Sequence, residues 1–173
     1  KSPDSQAMLV ACQQLGAQVK QTENEIEIIG VAGKPSLPNN VIDAGNSGIV
    51  VRFIGAIAGL LDGHVVLTGD HSIRFNRPVK PLMKGLTDLG AVCLSTKQDD
   101  HAPLIIKGPI ASGHALIDGA DSQPVSALLI ASAFLTGTTT IDVKNPGEKP
   151  WIDLTLAWFD RFGIQYHNEN YTH

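Results

Sequence analysis

RPVKPLMKGLTDLGAVC, residues 77–93, runs from a proline through an amphipathic stretch to Leu-Gly-Ala and an apolar extension, and the same order of residues occurs twice more in the chain. Residues 3–19 read PDSQAMLVACQQLGAQV and residues 149–166 read KPWIDLTLAWFDRFGIQY. Each copy sets a proline eleven or twelve residues ahead of Leu15, Leu89 or Phe162. Proline suits a first helical turn, where its missing N–H is unpaired anyway. Gly16, Gly90 and Gly163 suit the position just past the last turn, where a left-handed residue closes a helix. Val79, Leu82, Met83, Leu86 and Leu89 recur three or four apart, which gives one apolar face. The repeat therefore predicts short helices lying on a sheet.

Working outward, each helix leads into extended segments: Gln18–Lys20 with Glu25–Ile29, Val92–Ser95 with Leu104–Lys107, and Gln165–Tyr166 near the end. A second kind of helix precedes the later copies. It is expected over Asn46–Leu60, followed by strand His64–Thr68, and over Asp121–Leu135, followed by strand Thr138–Val143. The unit is thus helix, strand, helix, strand, strand. Copy one lacks its first half and copy three stops at its first closing strand, so the expectation is a piece of a longer repeat architecture.

With 173 residues, 43% of them hydrophobic and 17% charged, the chain is long enough to bury a core. A formal charge of −4 argues against nucleic acid and anionic membrane as partners, since both repel a chain without a strong basic patch. The longest apolar runs, at residues 53–61 and 127–135, fall short of the roughly 20 residues that cross a bilayer and read as buried helices. No basic-then-apolar leader opens the chain, and Cys12 and Cys93 sit in apolar stretches, as free thiols of a reducing compartment do, so a cytoplasmic location is expected. The six histidines lack ligand spacing, and no metal site is expected.

Unusual residues concentrate at the helix starts. Asn46-Ser47-Gly48 opens an apolar helix, with Asn46 either capping it or helping to form an anion site, and Gly48 letting a ligand approach the backbone. Arg52, in that apolar run, either snorkels or points toward the same site. Residues 69–78 place Arg74 and Arg77 in one strand-to-helix loop, with Pro78 fixing Arg77 before the helix; arginine binds carboxylate or phosphate as a planar fork, and a solvated loop is the alternative. Asp121-Ser122-Gln123-Pro124 sets a cap, a hydroxyl and an amide side by side. In the loop from Asn145 to Trp151, Lys149 is placed to meet an anion, while Trp151 is expected to pack at a helix end. No nucleophile with an adjacent base and no glycine-rich phosphate loop is visible, so catalytic residues are not assignable from spacing.

Taken together, these loops resemble the ligand loops of the 5-enolpyruvylshikimate-3-phosphate synthase family, and the likeness covers essentially the whole chain. The family's Asn-Ala-Gly-Thr loop with a following arginine is matched by Asn46-Ser47-Gly48-Ile49 and Arg52. Its Leu-Thr-Gly-acid loop ending in Arg-Pro is matched by residues 67–70 and Arg77-Pro78, its Ser-Ser-Gln helix start by Asp121-Ser122-Gln123, and its Ser-Lys-Pro-Tyr-Ile-Asp by residues 148–153. The resemblance implies an α/β fold of βαβαββ units around a pseudo-threefold axis, with residues 1–173 an incomplete N-terminal domain and a second domain elsewhere. It implies transfer of the enolpyruvyl group of phosphoenolpyruvate to the 5-hydroxyl of shikimate-3-phosphate, without a cofactor, in a monomeric parent enzyme. Phosphoenolpyruvate, or the herbicide glyphosate in its place, would meet Asn46, Gly48, Arg77 and Gln123. Shikimate-3-phosphate would meet Asp121, Ser122, Gln123, Glu148, Lys149 and Trp151. The proton-transfer groups would lie outside this chain. Asp121 and Glu148 depart from the family's serines at the acceptor phosphate, so either these carboxylates turn away or the pocket is rebuilt, with Lys149 a candidate counter-charge. Other readings are a related transferase acting on UDP-N-acetylglucosamine, which uses a loop cysteine, and a non-catalytic anion-binding module.

Overall fold

In the computed structural model, which describes residues 2–173, each copy of the repeat is a helix closed by a glycine in the left-handed region. They are α1 (Pro3–Gln14), α4 (Lys80–Asp88) and α6 (Lys149–Phe162), followed by Gly16, Gly90 and Gly163 at φ +103°, +104° and +67°. Proline occupies the first turn each time. In α4 it is Pro81 rather than Pro78, so the helix begins later than its sequence suggests and Arg77 stays outside it.

The remaining elements, in chain order, are strands β1 (Gln18–Gln21), β2 (Ile26–Ile29) and β3 (Ile42–Asp43), helix α2 (Gly48–Ala58), strand β4 (His64–Thr68), the short helix α3 (His71–Phe75), strands β5 (Val92–Ser95), β6 (Leu104–Lys107) and β7 (His114–Asp118), helix α5 (Ser122–Ser132) and strand β8 (Thr140–Lys144). Strands β1 and β2 form a hairpin. β3, β4, β6 and β5 lie side by side in that order, and β7 pairs with β8. The pairs β3–β4 and β7–β8 are parallel, each joined through a central helix, whereas β5 and β6 are antiparallel neighbours. The chain from β3 to β6 is therefore one βαβαββ unit. Three details differ from expectation. Strands β3 and β7 precede the central helices, helix α3 occupies the predicted loop, and Gln165–Tyr166 joins no ladder.

Alternation along the strands buries Val65 and Leu67 of β4 and Leu104 and Ile106 of β6 on one face. That face receives α2, whose Val50, Val51, Ile54, Ala56 and Ala58 are buried. A helix apolar on nearly all sides belongs in a core, and α2 accordingly packs against α5 in the middle of the molecule. No helix among the described residues is long and apolar enough to cross a membrane.

Candidate functional site

Because β3 and β4 are parallel with α2 between them, the C-terminal ends of both strands and the N-terminus of α2 meet at one edge, the usual place for ligands in α/β folds. Asp43 Oδ1 accepts the N–H of Gly45 at 2.8 Å and turns the chain toward the helix. Ser47, not Asn46, is the cap, its Oγ accepting the N–H of Val50 at 3.3 Å. Asn46 instead donates its amide to Asp70 Oδ2 at 2.6 Å. Asp70 Oδ1 caps α3 through the N–H of Ile73 at 3.1 Å. The Ile73 N–H, with help from Asn46, holds the Asp70 carboxyl below its ordinary range despite partial desolvation.

The α5 end repeats this design. Asp118 Oδ1 accepts the N–H of Ala120 at 2.9 Å, the counterpart of the Asp43 turn. Asp121 caps α5 as its sequence predicts, Oδ1 accepting the N–H of Gln123 at 2.9 Å. Glu148, from the loop after β8, brings Oε2 to the N–H of Ser122 at 3.2 Å and to its hydroxyl at 2.8 Å. These two donors depress the Glu148 carboxyl below its ordinary value, the hydroxyl first. Glu148 takes the left-handed conformation at φ 47°, uncommon for a side-chain-bearing residue. The preceding Gly147 fits so closely that a Cβ there would lie 2.5 Å from the carbonyl oxygen of Ala120.

Arg52 joins the two ends and resolves its two readings. Its side chain is only 5% exposed, with Nη2 at 3.0 Å from Asp121 Oδ2. The guanidinium also donates to the carbonyls of Pro78 at 2.9 Å and Gly48 at 3.2 Å and to Gln123 Oε1 at 3.4 Å. Desolvation lowers its pKa, with Asp121 opposing and the nearby charge of Arg77 adding to the effect. The focus of the cluster is Gly48. A Cβ built there would lie 2.9 Å from Arg52 Nη1 and 3.5 Å from both Arg77 Nη1 and Gln123 Oε1. Two guanidinium groups thus converge on the bare backbone of a helix N-terminus whose first turn holds no acid, and Arg77 is exposed. Such an arrangement accepts a small polyanion.

Asn46, Gly48, Arg77 and Gln123 therefore lie together or one contact apart, and Asp121, Ser122 and Glu148 form a second group beside them. Lys149 points elsewhere, its ammonium 5.0 Å from the centre of the Tyr171 ring. Trp151 does not pack down: it is 61% exposed at the mouth of a 710 Å³ groove that includes Ile49, Phe53, Ser122, Glu148 and Trp158. The role of Asp70 escaped the sequence reading; its position at the end of β4, matching Glu148 after β8, was the available signal. Burial raises the thiol pKa of Cys12 and that of Cys93, the latter to about 11. Among the described residues no group of three or more His, Cys, Asp or Glu is arranged to hold a metal ion.

Residues 1–173 match the family model described as EPSP synthase (3-phosphoshikimate 1-carboxyvinyltransferase). The chain is 42% identical over 171 residues to the 3-phosphoshikimate 1-carboxyvinyltransferase of Methanococcoides burtonii, covering 98% of this chain and 40% of that protein. It is 46% identical over 166 residues to the enzyme of the same name from Methanothrix thermoacetophila, covering 95% and 39%. The solved EPSP synthase of Acinetobacter baumannii superposes with a TM-score of 0.84 at 25% identity, over 98% of this chain and 38% of that one. The chain spans about two fifths of the length of these relatives.

Proposed function

The chain belongs to the EPSP synthase family, and from that membership we propose that residues 1–173 are most of the first domain of an enzyme that transfers the enolpyruvyl group of phosphoenolpyruvate to the 5-hydroxyl of shikimate-3-phosphate. The observation that carries this reading is the convergence of Arg52, Arg77 and Gln123 on the backbone of Gly48. Phosphoenolpyruvate carries a phosphate and a carboxylate, and the α2 end offers the Arg77 guanidinium and a helix N-terminus to meet them. Arg77, free on the surface, is the direct ligand. Arg52, held by Asp121 and two carbonyls, fixes the shape of the pocket. Asn46 acts by holding its loop to Asp70. The acceptor lies at the α5 end, against Ser122, Gln123, Glu148 and Trp151.

In the reaction the acceptor hydroxyl adds to C2 of phosphoenolpyruvate as C3 gains a proton. The hydroxyl gives up its own proton as the C–O bond forms, and loss of one hydrogen of the C3 methyl as a proton, with departure of inorganic phosphate from C2, then regenerates the double bond on the new ether. This requires a positioned acid and base beside the anion pocket, and the residues described above supply the pocket, not those groups. The UDP-N-acetylglucosamine reading is disfavoured because Cys12 lies in α1 and Cys93 in β5, both with raised thiol pKa. The test is ³¹P NMR on the full-length protein that contains this segment, incubated with phosphoenolpyruvate and shikimate-3-phosphate. Release of inorganic phosphate with formation of the enol ether supports the proposal, and Arg77→Ala should lower kcat/KM by about a hundredfold, the scale of losing a charged ligand. Binding without turnover would favour the anion-binding module instead.

A further inference from the structure

The segment that carries Arg77, residues 69–78, is fastened to the start of α2 at both of its ends. At the far end the carbonyl of Pro78, next to Arg77 in sequence, accepts from Arg52 Nη2 at 2.9 Å. At the near end all the polar groups of Asp70 are engaged. Its N–H donates to the carbonyl of Gly45 at 2.8 Å and its Oδ2 accepts the Asn46 amide at 2.6 Å, so both bonds cross to the turn that leads into α2. Its Oδ1 caps α3 through Ile73, and its carbonyl accepts the N–H of Arg74 at 3.1 Å and the side-chain Nε of Arg74 at 3.2 Å. The two loops are in contact, because a Cβ on Gly69 would lie 2.8 Å from the Gly45 carbonyl oxygen. The side chain of Arg77 is exposed, so its reach is set by the backbone fastened on either side of it.

We propose that Asp70 is a positioning residue for phosphoenolpyruvate: by bridging the α2 turn and α3, it fixes the backbone of Gly48 and the guanidinium of Arg77 at the spacing that one small anion can span. The inference rests on the start of α2 being the phosphoenolpyruvate pocket. A carboxylate beside an anion pocket is in itself a penalty, since like charges repel. An ionised carboxylate nevertheless suits this place, because it has two accepting oxygens and no donor, so one oxygen serves each loop. The ligand then meets groups that are already in position and does not have to order them, which is where the gain in affinity comes from.

The experiment uses the full-length protein that contains this chain and compares Asp70→Ser, Asn46→Ala and the double variant. Serine keeps an oxygen that caps α3 and is too short to hold Asn46 as well. Calorimetric titration of phosphoenolpyruvate gives Kd, and phosphate release gives kcat and the KM of each substrate; Kd and KM do not depend on how much of a sample is folded. Each single variant is expected to raise Kd and KM for phosphoenolpyruvate about tenfold, the scale of one hydrogen bond to a charged group, with kcat and the KM of shikimate-3-phosphate changed less than about threefold. The double variant should be no weaker than the weaker single, because both substitutions remove the same bond. Charge alone would make Asp70→Ser bind the anion more tightly, so weaker binding in that variant reports lost position. Unchanged or tighter binding in Asp70→Ser, losses that multiply in the double variant, or an equal rise in both KM values overturns the proposal. A native protein that binds phosphoenolpyruvate and releases no phosphate contradicts the proposed reaction, while the Kd comparison still decides the role of Asp70. A native protein that does not bind phosphoenolpyruvate overturns the pocket and this proposal together.

Discussion

Gly48 is the residue on which the site turns. Its backbone is helical, so an alanine there is not strained by conformation; the obstacle is space, because the new methyl would sit 2.9 Å from an Arg52 Nη1 that is pinned by Asp121, Gly48 and Pro78. Gly48→Ala is expected to melt within a few degrees of the native chain, since alanine's better helix propensity, up to ~1 kcal/mol, offsets part of the cost of displacing the tip of Arg52, yet to weaken phosphoenolpyruvate binding at least about tenfold. Thermal denaturation and calorimetric titration of one preparation check both halves. Arg52→Met tests the other partner. It removes the hydrogen bonds to Pro78 and Gly48 and strands Asp121, which at 39% exposure can still turn toward water, so the loss should be about 2 kcal/mol rather than the 3–5 of a fully buried pair. Urea unfolding reads it directly. At this scale the sequence named most of the participants and missed their connections. Asn46-Ser47 offers two capping residues, and only the backbone geometry selects Ser47. The contacts of Arg52 with Gln123 and Asp121 arise from the packing of α2 on α5, which no local pattern encodes.

Among the elements, strands β4, β5 and β6 fall on the segments expected to be extended after each helix, and one face of each meets the core while the other does not. β3 has two residues, too short for any period to register, and β7 has only Ala115 and Ile117 facing inward. After α6, Gln165 and Tyr166 join no strand, and the later chain meets β8 only through the Val143 N–H, which donates to the Thr172 carbonyl at 2.9 Å. Packing between elements is close where α4 crosses α5. A Cβ on Gly85 would overlap Leu128 Cδ1 and lie 3.1 Å from Ile117 Cγ2, so Gly85→Ala should cost about 1–3 kcal/mol through overpacking, despite alanine's better helix propensity. A lowered urea midpoint with an unchanged slope would show it. The β5–β6 connection carries a pH signature. Lys97, then the His101 N–H and Ser95, hold Asp99 at about 2. A carboxyl depressed below its unfolded value of about 3.9 contributes stability above that value and loses it as the pH falls toward 2. The melting temperature should therefore decline between about pH 4 and pH 2, and Asp99→Asn should flatten that limb while lowering stability at pH 7.

For the molecule as a whole, the internal repeat in the sequence becomes repeated geometry: the Asp43 and Asp118 turns, the parallel strand pairs and the two central helices are matched parts. That repetition brings two helix N-termini to one edge, and the departures between them give the edge a cationic end at α2 and an anionic end at α5. The groove beside it is bordered by Trp151 and Trp158. Trp151 stands next to Glu148 at its mouth, so shikimate-3-phosphate bound at the α5 end should change its fluorescence. Trp151→Phe should abolish the change and Trp158→Phe preserve it, in a titration of emission against ligand. The central claim, that this chain holds the phosphoenolpyruvate pocket of an enolpyruvyl transferase, is tested most directly by recording amide ¹H–¹⁵N spectra of the chain while phosphoenolpyruvate is added. The account predicts saturable shifts centred on Gly48, Arg77 and Gln123, together with the side-chain signal of Arg52, and their loss in Arg77→Ala. Shifts confined to surfaces remote from the start of α2, or shifts at these residues that persist unchanged in Arg77→Ala, would contradict it.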